Sequence, residues 1–175
     1  MTVLQMNIPV IETKRLVLRE PRLEDLDALI HFLGSDHTRF VGGPMTPADA
    51  CRSLYANVGH WMMRGYGFWV IADKCDGTFL GRVGFLFATG WHETELGWQV
   101  TEAAQGRGIA FEAAKAARAY GAAQMGLEGV ISYIDPANTR SRALVERLGC
   151  VHERDVTFFG KDGIGIWRHP KAEAT

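Results

Sequence analysis

A glycine turn near the middle of the chain has the residue types of an anion site. Between a predicted strand at 95–100 and an alanine-rich predicted helix run Gln105, Gly106, Arg107, Gly108, Ile109 and Ala110. The first amides of a helix have no partner within it, and the helix dipole places positive charge at the same end. Glycines at 106 and 108 lack the Cβ atoms that would hold a phosphate away from the backbone, and Arg107 adds a cation. The turn is therefore a candidate diphosphate site.

Two well-known phosphate loops do not match this turn. A Walker A loop requires Lys and then Ser or Thr after its second glycine, and Ile109 and Ala110 occupy those places. The dinucleotide fingerprint requires a third glycine where this chain has Phe111, which is too large for close packing of helix on strand. Both interpretations are excluded.

The turn does fit Gln/Arg-x-x-Gly-x-Gly/Ala, and with it the chain resembles the GNAT family of acetyl-CoA-dependent N-acyltransferases. The chain is most similar to the RimJ/RimL-like branch of that family. The resemblance extends to the strand motif Glu-Leu-Gly-Trp and to three further segments, so that it covers nearly the whole chain; these motifs lie at 95–98, 135–141, 144–150 and 11–19.

The resemblance implies an α/β (α+β) fold in one domain, residues 1–175, with a core at about 9–170. The central sheet is expected to be mixed and mostly antiparallel, with helices on both faces. Its fourth and fifth strands are expected to splay apart into a V-shaped cleft, where the pantetheine arm of acetyl-CoA lies like an added strand. A chain of 175 residues with 47% hydrophobic content has the size for one full core.

Hydrophobic periodicity and turn residues predict the elements of this fold independently of the resemblance. Thr46 is expected to cap a helix and Gly34 to end one. Helices are predicted at 22–34, 46–63, 108–124 and 138–148, and strands at 13–20, 67–72, 79–87, 95–100, 130–134, 151–159 and 164–169. The last two strands are predicted to form a hairpin around Lys161, Asp162 and Gly163.

The resemblance also assigns residues to the acyl-CoA site. The backbone N–H groups of Trp98, Gln99 and Val100 match the part of the family that hydrogen-bonds the thioester carbonyl, an oxyanion-type contact. Together with residues 105–110 and Asn138, they form the predicted acetyl-CoA site. Asn138 is equally suited to cap the following helix, and one residue can serve both the helix and the pantetheine chain.

An acid is needed to protonate the departing thiolate. Many members of the family carry a tyrosine for this purpose, and Val145 occupies its position here. Ser141 matches a serine of the RimJ/RimL-like motif and is the candidate proton donor, directly or through water. Its alternative role is that of a first-turn helix residue that satisfies backbone groups, and Tyr133 is a weaker substitute.

A base is needed to deprotonate the attacking amine, and Glu95 is the best single candidate because it lies on the strand that leads to the loop. The alternatives are a solvated strand residue, a carboxylate that attracts the acceptor amine, or a water relay. Glu93 and His92 are weaker candidates.

Composition argues against several other classes of protein. The formal net charge of −1 gives no electrostatic case for nucleic acid or for an anionic membrane as the main partner. Three unpaired cysteines and six scattered histidines predict neither a disulfide frame nor a metal site. Without a leader or a membrane-length apolar run, we expect a cytoplasmic protein.

The sequence thus predicts an enzyme that transfers acetyl from acetyl-CoA to a primary amine, either a protein N-terminal α-amine or a small-molecule amine. No nucleophile motif is present, so direct attack without a covalent acyl-enzyme is expected. The alternatives are a non-catalytic acyl-CoA-binding protein of the same fold and a transferase of longer acyl groups. A homodimer is compatible with the fold, although no sequence feature demands one.

Overall fold

The computed structural model describes residues 6–171 and contains both helices and strands throughout this range. The helices are α1 (Leu26–Leu33), α2 (Pro47–Arg64), α3 (Ile109–Met125) and α4 (Thr139–Arg147). The strands are β1 (Ile11–Glu12), β2 (Leu16–Arg19), β3 (Phe68–Asp73), β4 (Phe79–Leu86), β5 (Glu95–Val100), β6 (Ile131–Ile134), β7 (Val151–Phe158) and β8 (Lys161–Arg168). None of the helices in this range is long and apolar enough to cross a membrane.

One mixed sheet carries all eight strands, in the order β1-β2-β3-β4-β5-β6-β8-β7. Neighbouring strands are antiparallel except for β5 and β6, which run parallel. These two strands pair at Glu95 and Ile131 and then diverge, so that a cleft opens between them. The predicted fold class and the splay are confirmed; counting the short β1, the splayed strands are the fifth and sixth.

Helices cover both faces of the sheet, and each face contributes to a separate hydrophobic cluster. Along β5, Leu96 and Trp98 point into the main core, where α3 packs against the sheet. Alanines on the packed side of α3, among them Ala113 and Ala117, are fully buried and allow the helix to approach closely. On the opposite face α1 and α2 form a smaller core, whose buried members are Leu29, Phe32, Leu33, Ala50 and Leu54.

Local capping explains where the helices begin. Thr46 accepts a hydrogen bond from the Asp49 N–H over 3.2 Å, and Pro47 opens α2 as predicted. The first predicted helix starts later than expected, at Leu26, because a 3₁₀ turn precedes it. Asp25 holds that turn by accepting from the Arg22 N–H and by pairing with Arg19 at 2.6 Å.

The last hairpin differs from the prediction in the position of its turn. The turn lies at Phe159 and Gly160, with φ values of +48° and +74°, and β8 already begins at Lys161. Val156 pairs with Ile164 and Phe158 with Lys161, so Thr157 alone faces the two residues 162 and 163. The Asp-Gly signal at 162–163 therefore marks a β-bulge, where the positive φ of +74° at Gly163 is used within the strand.

Candidate active site

A cleft of about 680 Å³ opens where β5 and β6 diverge. Its walls are the end of β5, the turn before α3, the start of α4 and the segment 37–41 that follows α1. The cleft contains every predicted acyl-CoA residue except one: Trp98, Gln99, Val100, Gln105, Gly106, Gly108, Ile109, Ala110 and Asn138. Arg107 points instead into an adjoining groove on the other side of the turn.

The turn before α3 has the geometry of a diphosphate cradle. Gly106 and Gly108 have φ values of +72° and +73°, in the left-handed region that favours glycine. Gly108 is the N-cap of α3, and no side chain caps this helix end. The first amides of α3 therefore lie at the cleft with the positive end of the helix dipole. Gln105 accepts a hydrogen bond from Arg140, which brings a guanidinium from α4 to the same turn.

The end of β5 offers backbone groups to the cleft. Of the three predicted N–H groups, those of Trp98 and Val100 face the cleft and that of Gln99 does not. A Cβ on Gly81 would lie 2.1 Å from the Gln99 carbonyl oxygen, so the backbone of Gln99 faces β4. Backbone groups alternate in direction along a strand, so those of Trp98 and Val100 face the splay. The prediction that the Gln99 N–H contacts the thioester is wrong for this reason. The Trp98 side chain lies in the core.

The side chain of Gln99 serves a different purpose, because it connects the sheet to the outer wall of the cleft. Its Oε1 accepts a hydrogen bond from Arg82 Nε over 2.5 Å, and its Nε2 donates to the Val41 carbonyl over 3.1 Å. Arg82 also donates to Ser53 and lies over the Phe68 ring. Within residues 6–171 Arg82 has no carboxylate partner, and burial lowers the pKa of its guanidinium to about 10.

Below the cleft, a buried side-chain network holds the strands together where they begin to diverge. Ser132 Oγ lies 2.6 Å from the Leu96 carbonyl and 2.9 Å from His169 Nε2. Arg118 approaches His169 Nδ1 at 3.5 Å and can only donate. Consequently His169 carries its proton on Nε2 and donates to Ser132, which donates to Leu96. Burial, and then the charge of Arg118, lower the pKa of His169 to about 3, so the ring is neutral.

Glu95 lies at the apex of the splay, in the pair that joins β5 to β6. Its Oε2 accepts a hydrogen bond from the Trp91 indole over 2.9 Å. Burial raises the pKa of Glu95 to about 7, although the hydrogen bonds from Trp91 and the Tyr133 backbone oppose the rise. A carboxylate that titrates near neutral pH is suited to proton transfer. Since side chains alternate along a strand, Glu95 lies on the face opposite Leu96 and α3.

Aromatic side chains surround Glu95 and complete the apex. The Tyr133 ring stacks on Phe158 at 4.0 Å between centroids, and Trp91 meets Phe158 edge to face at 5.2 Å. Tyr133 Oη accepts a hydrogen bond from the His92 N–H over 2.7 Å and lies 3.1 Å from His92 Nδ1. Burial raises the pKa of Tyr133. His92 and Tyr133 are thus joined at the apex, and the aromatic rings cover part of it.

At the start of α4, Asn138 and Ser141 occupy the positions expected of cleft residues. Asn138 Oδ1 caps α4 by accepting from the Ser141 N–H over 3.2 Å, and both residues line the cleft. Capping and contact with a ligand are therefore compatible for Asn138. Val145 is fully buried in the main core. The position that matches the tyrosine acid of the GNAT family thus contributes only to packing here.

Metal and thiol chemistry find no support among residues 6–171. No group of three histidine, cysteine, aspartate or glutamate side chains in this range is placed to hold a metal ion. Burial raises the pKa of the Cys150 thiol to about 11, which keeps it protonated and weakly nucleophilic at neutral pH.

Sequence reasoning missed Arg82, Ser132 and His169. Each reaches its partner across the sheet, and the separations of 17, 36 and 37 residues to Gln99, Leu96 and Ser132 follow no local spacing. The one available signal was the presence of polar residues within apolar predicted strands, because a buried polar side chain requires a hydrogen-bond partner.

Comparison with known proteins agrees with this geometry. Residues 15–151 match the family model described as an acetyltransferase (GNAT) domain. The uncharacterized N-acetyltransferase YnaD of Bacillus subtilis (strain 168) is 30% identical over 145 residues, which cover 82% of this chain and 83% of YnaD.

Solved structures show the same fold over nearly the full length. An acetyltransferase from Agrobacterium tumefaciens str. C58 is 29% identical, with a TM-score of 0.87 and coverage of 98% of this chain and 99% of its own. RimL, a ribosomal L7/L12 alpha-N-protein acetyltransferase solved in complex with coenzyme A, is 17% identical, with a TM-score of 0.77 and coverage of 95% and 100%. The chain therefore belongs to the GNAT family and is an acetyltransferase of the kind that takes its acyl group from acyl-CoA.

Proposed function

We propose that this protein transfers the acetyl group of acetyl-CoA to a primary amine by direct attack, without a covalent acyl-enzyme. The observation that carries the proposal is the course of the cleft. It begins at the uncapped start of α3, where Gly106 and Gly108 can receive a diphosphate, and it runs along β5 from Val100 back to Trp98. Glu95 lies three residues further along the same strand, beyond the residues that line the cleft. A cosubstrate with a diphosphate at one end and a thioester at the other fits this course.

Residues of the cleft, together with Glu95 at the apex of the splay, supply the groups that the reaction requires. Glu95 takes a proton from the ammonium form of the acceptor, and the free amine attacks the thioester carbonyl. The Trp98 N–H, which faces the splay, stabilises the negative charge that develops on the carbonyl oxygen. A C–N bond forms and the C–S bond breaks. Ser141 donates a proton to the departing thiolate, directly or through water, and the proton that the attacking nitrogen loses as the amide forms replaces it on Ser141. The products are an amide and CoA.

The pKa of Glu95 favours one class of acceptor amine. An α-ammonium group has a pKa of about 7.7–8.0 and a lysine ε-ammonium about 10.4. Proton transfer to a carboxylate with a pKa of about 7 is nearly balanced for the α-amine and clearly uphill for the ε-amine. We therefore propose an α-amine acceptor, such as a protein N-terminus, in keeping with the resemblance to the RimJ/RimL-like branch. We further propose that the chain acts in the cytoplasm as one domain.

The test is an assay of CoA release from acetyl-CoA with two matched peptides. One peptide has a free N-terminus and no lysine, and the other has a blocked N-terminus and one lysine. We expect CoA release above the hydrolysis background with the first peptide and much less with the second. Binding of acetyl-CoA without acceptor-dependent release from any amine would contradict the proposal and favour a non-catalytic acyl-CoA-binding protein.

Two controls define the donor and the base. Propionyl-CoA and succinyl-CoA in place of acetyl-CoA distinguish acetyl transfer from transfer of a longer acyl group. Glu95→Gln is expected to lower kcat/KM by roughly 10²-fold or more, the usual contribution of a positioned base. Glu93→Gln removes a neighbouring carboxylate that pairs with Arg168 and is expected to retain the proton transfer.

A further inference from the structure

Three aromatic side chains form a partly exposed cluster where the last hairpin meets the loop before β5. Trp91 lies in that loop, and Phe158 and Phe159 lie at the tip of the hairpin. The ring centroid of Trp91 is 5.2 Å from that of Phe158 and 5.1 Å from that of Phe159, and the two phenylalanine centroids are 4.6 Å apart. Each ring thus packs edge to face against the other two. We call these three side chains the aromatic cluster.

Phe159 is the unusual member of the aromatic cluster. Its backbone has a φ of +48°, and it is the one non-glycine residue with a positive φ among residues 6–171. The next residue, Gly160, is also at positive φ, so the turn has the form for which Asn-Gly is preferred. The phenylalanine is 72% exposed, so core packing does not offset the strain. A large aromatic side chain at such a position indicates a surface that a ligand contacts.

The aromatic cluster adjoins the carboxylate that we propose as the base. The Trp91 indole N–H donates to Glu95 Oε2 over 2.9 Å, and Phe158 stacks on Tyr133 of β6 at 4.0 Å between centroids. An amine that transfers its proton to Glu95 must lie within hydrogen-bond distance of this carboxylate. The carbon bonded to that amine then lies beside the indole, and a side chain on that carbon can reach the aromatic cluster.

The charged side chains near the aromatic cluster are paired with one another. Arg168 pairs with Glu93 at 2.5 Å, and Lys161 pairs with Asp135. With these charges paired, the rings are the surface that the group beside the amine meets. An apolar side chain gains free energy when it leaves water for such a surface, whereas a polar side chain would lose hydrogen bonds to water there.

We propose that the aromatic cluster binds the side chain of the acceptor's first residue and favours a large apolar side chain, as in an N-terminal phenylalanine, leucine or methionine. This inference rests on the proposed function, because it requires an α-amine at Glu95. Phe159 is the specificity-determining residue, since its exposed ring is free to contact the acceptor. Trp91 connects that contact to the base.

The experiment measures CoA release from acetyl-CoA with two lysine-free peptides that differ only in their first residue, phenylalanine or serine. We expect kcat/KM of the wild type to be roughly tenfold higher or more for the phenylalanine peptide, because burial of an apolar side chain is favourable. Most of the difference should lie in KM, since the side chain is bound equally in the ground state and in the transition state.

A variant of Phe159 distinguishes recognition of the acceptor from support of the fold. Phe159→Asn removes the ring but suits the turn, because asparagine adopts positive φ more readily than phenylalanine does. We expect its unfolding temperature to equal or exceed that of the wild type. We also expect it to lose rate with the phenylalanine peptide, so that kcat/KM becomes similar for the two peptides. A residue that only supported the fold would lose stability instead.

Val151→Thr is the matched control. Val151 is a 68% exposed apolar residue at the other end of β7, and threonine keeps its branched shape. This variant should keep the preference of the wild type for the phenylalanine peptide.

The outcomes separate the inference from the proposed function. Equal kcat/KM of the wild type for both peptides, or a higher value for serine, overturns the aromatic cluster as the site for the first side chain and leaves acetyl transfer to an α-amine standing. A preference for phenylalanine that survives in Phe159→Asn does the same. Absence of acceptor-dependent CoA release from either peptide overturns the proposed function, and the inference with it.

Discussion

Ser132 Oγ lies 2.6 Å from the Leu96 carbonyl oxygen, next to the pair at which β5 and β6 meet. This hydrogen bond joins the two strands through a side chain where their backbones begin to separate. His169, at the end of β8, donates to the same hydroxyl over 2.9 Å and so fixes its orientation. The width of the cleft at its narrow end is therefore set by a serine and a histidine that do not contact the acyl-CoA site.

Replacement of Ser132 by alanine should destabilise the protein and widen the cleft. The variant leaves the Leu96 carbonyl and the His169 Nε2 proton buried without partners, which costs about 1–3 kcal/mol in the free energy of unfolding. We also expect KM for acetyl-CoA to rise. Urea denaturation and steady-state kinetics measure the two effects. Ser35→Ala is the control, because Ser35 donates to the Phe32 carbonyl at the end of α1 and belongs to neither of the splayed strands; an equal loss of stability in both variants would refute the role of Ser132.

The raised pKa of Glu95 predicts a pH-dependent stability. Its value of about 7 in the folded protein exceeds the ordinary 4.5, so the folded state binds the proton more tightly than the unfolded state. The stabilising contribution is complete below pH 4.5 and is lost as the pH rises through 7. Glu95→Gln should therefore match the wild type near pH 4 and exceed its free energy of unfolding by about 3 kcal/mol at pH 8.

Glu93→Gln is the control with the opposite sign. Its hydrogen bond and ion pair with Arg168 lower the pKa of Glu93 below 4.5, so its contribution is present above that pH and is lost on acidification. The variant should be less stable than the wild type at neutral pH. Urea denaturation of both variants at pH 4, 6 and 8 provides the comparison, and a parallel pH dependence of the two would show that Glu95 has no raised pKa.

Gly108→Ala should weaken acetyl-CoA binding while preserving the fold. A Cβ at φ +73° strains the backbone by about 1–2 kcal/mol and places a methyl group at the diphosphate cradle. Gly126→Ala is a matched control, because Gly126 ends the same helix at φ +66° and lines neither cleft nor groove. Both variants should lose similar stability in thermal unfolding. Calorimetry should show roughly tenfold weaker binding for Gly108→Ala alone, and intact affinity would place the diphosphate elsewhere.

Ser141→Ala should lower kcat and leave the affinity for acetyl-CoA unchanged. Its hydroxyl lines the cleft, whereas its N–H is the group that Asn138 caps, so the substitution spares the cap. We expect a loss of roughly 10²-fold in kcat if the hydroxyl protonates the thiolate. Ser141→Cys, which keeps an acidic proton at the position, should restore part of the rate. Unchanged kcat in the alanine variant would remove Ser141 from the mechanism.

Local sequence signals were sufficient to predict much of the fold and the loop. The turn at 105–110 was predictable because glycines and a helix start are adjacent in the chain, and the strand predicted before it at 95–100 has the bounds of β5. Thr46 and Pro47 marked the start of α2 for the same reason. In each case the residues that determine the conformation are neighbours in sequence.

Features that depend on distant partners were not predictable in this way. Asp162 and Gly163 form a bulge instead of a turn, because the pairing of β7 with β8 decides where the chain reverses. The groove on the outer side of the turn before α3 combines Arg15, Lys115 and Arg147 from three distant segments of the chain. The backbone direction of Gln99 follows from its pairing with β4, which no spacing within β5 reveals.

The positive charge of Arg82, which has no carboxylate partner among residues 6–171, determines the orientation of the Gln99 side-chain amide. A guanidinium has only donors, so it must be met by the oxygen of Gln99, and the nitrogen of that amide must then point to the Val41 carbonyl. A glutamate at position 99 would neutralise the charge of Arg82, but its carboxylate would have no proton to donate to the Val41 carbonyl. The outer wall of the cleft would then lose its hydrogen bond to β5. The charge of Arg82 therefore decides which way the Gln99 amide points. Through that amide it holds the segment at Val41, which Arg82 does not itself contact.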